Sequence, residues 1–212
     1  MVGEVIFTAE GKLADARRYR DTLHGLLGKY GRSPDGMKIM PGLSPVIGDT
    51  EAAARRKAEE LDELVPTAVG LWMLSELMQF RLYEWPIDQP LPVRDINGQG
   101  LTFTPRALSL LERAERERLS IRACAQVVAR SRSHGGFVGT PEQLADHMQS
   151  WIDEGGCDGF NIMPPYFPSE LDLFVDQVVP ELQRRGRFRR DYAGTTLRDH
   201  LGLQRPAAPA RS

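Results

Sequence analysis

Short apolar segments alternate with helical patterns over the first part of the chain, and this alternation restricts the possible folds more than any other feature. The run Val5–Thr8 is β-branched and aromatic, which is typical of a strand buried on both faces. Apolar residues then recur at every third or fourth position up to Tyr30, which predicts a helix, and a second strand is expected at Lys38–Pro41. Thr50 can cap a further helix over Glu51–Leu64. The order β-α-β-α indicates an α/β fold whose parallel strands are joined by crossover helices.

The pattern becomes irregular between Pro66 and Gly100, where prolines interrupt short apolar stretches. Two further helices are predicted at Pro105–Arg118 and Ile121–Arg130, and Ser120 can cap the second of them. We interpret residues 66–136 as a helical insertion lying over the end of the sheet.

Regular alternation returns after the insertion. Thr140–Gln143 matches a capping box with proline at the first helical position, and Gly159–Met163 is predicted to be a strand. A last long helix begins near Ser169, and Pro180 is expected to kink it. Its inward-facing residues are predicted to be Leu171, Phe174, Val175, Val178, Val179 and Leu182. The three predicted strands should lie parallel and adjacent in one sheet.

Composition excludes several classes of protein. The 212 residues include 27 Lys and Arg against 29 Asp and Glu, a net charge of -2 that gives no long-range attraction for nucleic acid or an anionic membrane. Cys124 and Cys157 cannot form a disulfide framework, and no apolar run reaches the roughly 20 residues that span a bilayer. The first residues lack a basic stretch followed by an apolar one, so no signal peptide is expected. We therefore expect a cytoplasmic protein with no nucleic-acid or membrane partner.

Several blocks of sequence, in a fixed order, resemble one enzyme family. The blocks are Glu4–Ala9, Lys38–Gly42, Val138–Asp146, Asp158–Pro165, Val179–Gly186 and Gly194–Leu201. In these blocks the chain resembles the bacterial-luciferase-like flavin-dependent monooxygenases, in the branch that contains the nitrilotriacetate, EDTA and dibenzothiophene-sulfone monooxygenases. The resemblance covers almost the whole chain, but only the C-terminal half of a family member.

The resemblance implies a fold and an activity. The fold would be the C-terminal part of a luciferase-like (β/α)8 TIM barrel, with a helical insertion and with the N-terminal strands missing. Barrel segments would occupy residues 1–65 and 137–205, on either side of the insertion, and residues 206–212 would be a frayed tail. The family binds reduced FMN, supplied by a partner flavin reductase, and uses O2 to hydroxylate or cleave a small organic substrate.

Candidate cofactor-binding residues follow from where barrel strands end. Function in barrels is carried at the carboxyl ends of the strands, which places Thr8, Met40, Asn161 and Met163 near the flavin. Asn161 is a polar amide within an apolar strand, and flavin edges offer it both donors and acceptors. The alternative is that Asn161 bonds a neighbouring backbone group, and that both methionines fill gaps in the core.

His134 is the candidate substrate-binding residue. It lies in a polar loop, Arg130–Gly136, whose arginine, serine and glycine groups suit an anion, although the loop can equally be solvated surface. No spacing of His, Cys, Asp and Glu indicates a metal site, and no nucleophile elbow or phosphate-cradling loop is present. The catalytic residues stay unassigned.

Two functions remain open at this stage. The first is part of a two-component FMN-dependent monooxygenase that is inactive alone and needs either the missing N-terminal half or a homo-oligomer. The second is a non-catalytic half-barrel that serves as an interaction or assembly module. Exposed apolar sheet surface should make the isolated chain associate, and we expect it to bind FMN weakly.

Overall fold

A computed structural model describes residues 3–131 and 134–205, and the structural statements below concern this part of the chain. The tail predicted at residues 206–212 lies outside it. The strands and helices, in chain order, are β1 Val5–Thr8, α1 Leu13–Lys29, β2 Lys38–Ile47, α2 Glu51–Glu63, α3 Thr67–Met78, α4 Val93–Asn97, α5 Pro105–Glu117, α6 Ile121–Ser131, β3 Gly135–Gly139, α7 Pro141–Asp153, β4 Asn161–Ile162, α8 Ser169–Leu173, α9 Val179–Arg184 and α10 Leu197–Leu201. Short 3-10 helices occupy Pro34–Gly36 and Leu82–Glu84, and Phe174–Val178 is a π-helical turn between α8 and α9.

Strand β2 is the centre of a parallel sheet. β1 pairs with its first half, from Val5 opposite Lys38 to Thr8 opposite Pro41. β3 pairs with its second half, and β4 pairs with two residues in the middle. Because Leu43 pairs with both β3 and β4, those two strands flank β2 on opposite edges. The predicted parallel arrangement of the three strands is confirmed.

Strand β2 runs to Ile47, well beyond the predicted end at Pro41. Pro41 and Pro45 are unusual inside such a strand, because prolines cannot donate hydrogen bonds to a neighbouring strand. The carbonyl oxygens of Ile39 and Leu43 accept from amides in and around β4. By alternation, Pro41 and Pro45 turn toward the same edge, where β4 is only two residues long. Few backbone N–H donors are therefore needed at the edge of β2 where the two prolines lie.

Strand β1 differs from the prediction that it is buried on both faces. Val5 is 43% exposed and Phe7 is 53% exposed, whereas Thr8 is buried. The expectation is wrong for Val5 and Phe7, because the described residues cover only one face of this strand.

The predicted helix starts are confirmed by their side-chain caps. The hydroxyl of Thr50 accepts a hydrogen bond from Ala53 N at 3.1 Å, and Ser120 caps α6 in the same way. Thr140 and Gln143 form both halves of the capping box at the start of α7. These contacts are local, so the sequence alone is sufficient to predict them.

The region between α2 and β3 has a hydrophobic core of its own. α5 and α6 lie within one residue of their predicted bounds. The fully buried members of this core include Leu74, Met78, Leu82, Ile96, Ala107, Ile121 and Cys124. The helices of the predicted insertion thus pack on one another, although the division of the chain into domains stays a prediction.

The last long helix packs on the sheet as predicted, with two differences. Val178 and Leu182 are buried against apolar residues of β2 and α7, and Val179 is partly buried beside them. Val175 was expected to face inward but is 49% exposed. A π-helical turn that was not predicted lies just before Pro180, and the kink expected at Pro180 stays a prediction.

Candidate functional site

A cavity of about 430 Å³ lies at the carboxyl end of β1, between the sheet and the helical region. Its floor includes Ser44 and Val46 of β2, which alternate with Leu43 and Ile47 of the sheet core. The loop after β1, strand β3 and helices α5 and α6 form the walls. Parallel sheets bind ligands outside the carboxyl ends of their strands, and small-molecule cavities commonly measure about 300–1,000 Å³. We call this cavity the basic cleft because of the side chains described next.

Basic side chains outnumber acidic ones around the basic cleft. The charged lining residues are Lys12, Arg106, Arg113, Arg116 and Arg130 against Glu10 and Asp15. Most of the cations are paired with a carboxylate outside the lining. Lys12 lies 2.6 Å from Glu112, and Arg113 and Arg116 both contact Glu117 at 2.9 and 2.6 Å.

Arg106 and Glu10 are the exceptions. Within residues 3–131 and 134–205 neither side chain makes an ion pair or a hydrogen bond. Burial lowers the pKa of the Arg106 guanidinium. Burial also raises the pKa of the Glu10 carboxyl, and the nearby Asp15 carboxylate adds to this. The Arg18 cation acts on Glu10 in the opposite direction without contacting it. The cleft therefore presents one cation and one anion that are partly desolvated and that form no ion pair with the described residues.

Thr8 ends β1 immediately before the cleft. The residue is buried, and its Oγ1 has no hydrogen-bond partner in the part of the chain that the structure describes. The next four residues, Ala9 to Lys12, line the cleft. A buried hydroxyl without a partner is uncommon, and here it offers a donor and an acceptor at the end of a barrel-type strand.

His134 packs as a flat ring at the entrance of β3. Its imidazole stacks on Phe7 with ring centroids 4.9 Å apart and an interplanar angle of 10°. Both rings lie over Gly42, where a Cβ would come within 2.7 Å of His134 Nδ1 and 2.8 Å of the Phe7 ring. Glycine at this position therefore allows the stack, and His134 also lines the basic cleft.

The chain is similar to known proteins in both sequence and fold. N-acetyl-S-(2-succino)cysteine monooxygenase of Bacillus subtilis is 47% identical over 204 residues, which are 96% of this chain and 46% of that protein. Nitrilotriacetate monooxygenase component A of Aminobacter aminovorans is 44% identical, over 96% of this chain and 45% of that protein. The structure of EDTA monooxygenase from Chelativorans sp. BNC1 superposes with a TM-score of 0.68 and 35% identity, covering 95% of this chain and 47% of that one.

The chain is similar in sequence and in fold to luciferase-like flavin monooxygenases. It spans about half the length of the curated relatives it matches, and it fits their C-terminal half. The predicted fold, part of a luciferase-like TIM barrel, is confirmed. No family model matches the chain.

The candidate flavin-binding residues and the candidate substrate-binding residue His134 do not all lie at one cavity. Thr8 adjoins the basic cleft, and His134 lines it. Met40 lines a second cavity of about 420 Å³, enclosed by β2, α7 and the segment after α9. Asn161 Nδ2 donates to Met40 O at 3.1 Å, which is the backbone contact considered as the alternative. Met163 N donates to Leu43 O. Their roles toward a flavin stay predictions.

A buried ion pair beside the carboxyl end of β2 was not predicted. Glu170 is only 1% exposed, and its Oε1 lies 2.6 Å from Lys57 Nζ and 3.1 Å from the Tyr166 hydroxyl. Lys57 also donates to Ile47 O at 2.6 Å. Burial, together with the Glu170 carboxylate, raises the pKa of Tyr166.

A signal for this buried carboxylate was present in the sequence. Glu170 precedes the buried Phe174 by four residues, so on a helix it belongs to the buried face rather than to the solvent face. An acidic residue in an otherwise apolar stripe indicates a buried charge with a partner.

The cysteines and acidic clusters carry no evident chemistry. Burial raises the pKa of Cys124 and of Cys157 to about 12, so both are inert thiols. Among the residues that the structure describes, no group of three or more His, Cys, Asp or Glu side chains is placed to hold a metal ion. Within the same residues, no helix combines the length and the apolarity needed to cross a membrane.

Proposed function

We propose that this chain is the C-terminal part of a two-component, FMN-dependent monooxygenase that acts on a small organic substrate. Relatives at 47% and 44% identity are named as monooxygenases, and one of them is named as component A, which supports a second component such as a flavin reductase. The observation that carries the proposal is the position of the basic cleft at the carboxyl end of β1, where barrel enzymes hold their reacting groups.

The residues around the cleft fit one side of a flavin. The buried Thr8 hydroxyl lacks a partner and can bond a polar edge of the ring system. Val46, Leu77 and Phe137 give the lining an apolar surface. Asn161 has its amide nitrogen committed to Met40, so its contact would be through the side-chain carbonyl. Met40 and Met163 stay candidates with Asn161, but Met40 lines the second cavity and not the basic cleft.

The chain's own groups would position the reactants and exclude water. When bound, reduced FMN supplies two electrons to O2, so that one oxygen atom enters the substrate and the other leaves as water. Val46, Leu77 and Phe137 would help to keep water from the reacting groups, and the Thr8 hydroxyl would orient an edge of the ring. His134, stacked flat on Phe7, would present a ring nitrogen to the substrate.

The exposed face of β1 supports the participation of further strands. Val5 and Phe7 expose apolar surface in a strand that pairs, among the described residues, with β2 alone. A closed barrel buries such a face and has no free edge. We propose that the part of the barrel present in the longer relatives covers this face.

An anaerobic titration with reduced FMN tests the proposal. The chain would be titrated alone and mixed with the N-terminal half of nitrilotriacetate monooxygenase component A, and the flavin signal followed. We expect tight binding in the mixture only, weakened about three- to tenfold by Thr8→Val through loss of one hydrogen bond. Thr102→Val, at an exposed position, is the matched control. Absence of binding in the mixture, or equal binding by Thr8→Val, would contradict the proposal.

The exposed apolar face of β1 also favours the second candidate, a non-catalytic interaction module. Such a module would associate with the complementary half but would not gain flavin affinity. Measuring association and flavin binding on the same mixture separates the two functions.

A further inference from the structure

Glu10 and Arg106 face two adjoining cavities. Both line the basic cleft, and both line a neighbouring cavity of about 590 Å³ that extends toward α3. Leu77 and Val128 are also shared by the two cavities, so apolar surface lies close to both charges. The exposed indole of Trp72 forms part of the far wall.

Neither charge makes an ion pair or a hydrogen bond with the described residues, and Arg18 acts on Glu10 only at longer range. The two charges do not form an ion pair with each other, since no nitrogen of Arg106 lies within 4.0 Å of a Glu10 oxygen. Removing a charge from water without giving it a partner is costly, and folded proteins normally avoid it. The neighbouring Lys12, Arg113 and Arg116 follow that rule, because each is paired with a glutamate.

The charges of Arg106 and Glu10 favour a ligand that carries both an anionic group and a cationic or hydrogen-bond-donating group. An arginine fork binds a carboxylate or a phosphate, and a carboxylate accepts hydrogen bonds from an ammonium or a hydroxyl. The apolar side chains of Leu77 and Val128 suit a short hydrocarbon segment between the two groups.

We infer that Glu10 and Arg106 together determine substrate specificity, by binding a small zwitterion whose anionic group lies on Arg106 and whose cationic donor lies on Glu10. The inference rests on the proposed function, since it assigns the substrate class of the same cleft. A ligand with only one of the two charges leaves the other residue desolvated and unpaired, and for this reason binds less well.

Calorimetric binding to the 212-residue chain tests the inference without flavin or turnover. The probes are 4-aminobutyrate and 6-aminohexanoate as zwitterions, glutarate as a dianion and 1,5-diaminopentane as a dication. We expect a zwitterion to bind about tenfold or more tightly than either singly signed probe. Glu10→Gln and Arg106→Gln should each weaken zwitterion binding about ten- to a hundredfold. Exposed Glu63→Gln and Arg56→Gln are the matched controls.

The two variants should also differ in which of the singly charged probes they still bind. Glu10→Gln should keep binding of glutarate, and Arg106→Gln should keep binding of the diamine. If a variant fails to fold by circular dichroism, Glu10→Asp or Arg106→Lys takes its place, with a smaller loss in the same direction. Equal binding of all probes, no binding of any probe at millimolar concentration, or a loss in the controls as large as in the cleft variants would overturn the inference. Because no flavin is present, failure here leaves the flavin titration unaffected.

Discussion

The buried pair Lys57–Glu170 should respond asymmetrically to the loss of either partner. Lys57→Met leaves the Glu170 carboxylate, 1% exposed, with Tyr166 as its remaining donor. An uncompensated charge at such depth costs about 3–5 kcal/mol of unfolding free energy. The Glu170 Oε2 atom already has no hydrogen-bond partner among the described residues, so the carboxylate has no second contact to compensate the loss.

Removal of the glutamate should cost less. In Glu170→Leu, Lys57 keeps its bond to Ile47 O, and its side chain, 24% exposed, can reach water. We expect a loss of about 1–2 kcal/mol, the usual range for a charged hydrogen bond partly replaced by solvent. The double variant removes both charges and fills the site with apolar atoms, so it should lie within about 1 kcal/mol of the wild-type chain.

Urea denaturation followed by far-ultraviolet circular dichroism gives the three free energies. The cycle should yield a coupling energy of about 3 kcal/mol or more, with unchanged m-values. Equal losses in the two single variants, or a double variant whose loss is the sum of both, would refute the reasoning, since either result would mean that the pair is as solvated as a surface ion pair.

Three further outcomes are expected from the same measurement. Leu182→Ala removes a buried side chain from the core beneath β2 and should cost about 2–5 kcal/mol; a loss below about 0.5 kcal/mol would mean that the helix stripe faces solvent. Gly42→Ala drives a Cβ into the His134 ring and should cost about 1–3 kcal/mol, whereas Gly25→Ala, in a helix with no atom within 4 Å of the added methyl, should not destabilise. Burial lowers the pKa of His147, so the folded state disfavours the protonated ring and unfolding free energy should fall as the pH drops below about 6.5. His147→Gln should flatten that pH dependence, and an unchanged slope would show that another group is responsible.

Local rules in the sequence were sufficient for most of the helices. The caps at Thr50, Ser120 and Thr140 involve residues within three positions of one another, so their contacts depend little on the rest of the fold. Strand β2 was harder to predict. Its prolines are tolerated because β4, on the edge that they face, is short, and the length of β4 depends on the tertiary structure. The exposure of Val5 and Phe7 depends likewise on what covers β1.

The candidate site was only partly accessible to sequence reasoning. Thr8 was identified because it ends a strand. Glu10 and Arg106 were not, since they are distant in sequence and only the packing of the helical region on the sheet brings both to the same cleft. Whether Glu10 and Arg106 have ion-pair partners depends on which residues surround them in the folded chain, and this leaves no pattern in the sequence. Glu170, by contrast, lies four residues before the buried Phe174 and was predictable from that local spacing.

The π-helical turn at Phe174–Val178 lets this segment hold one residue more than a regular α-helix of the same number of turns. Twelve residues separate Glu170 from Leu182, yet both are buried on the sheet side. Three turns of a regular α-helix use about eleven residues, so the wide turn absorbs one residue in excess. Its exposed members, Val175 and Asp176, are the natural position for that surplus. A homologue with one residue fewer in this segment would form an unbroken α-helix that still buries the counterparts of Glu170 and Leu182 on the same face. An alignment of this helix should therefore show a single one-residue gap between those two positions.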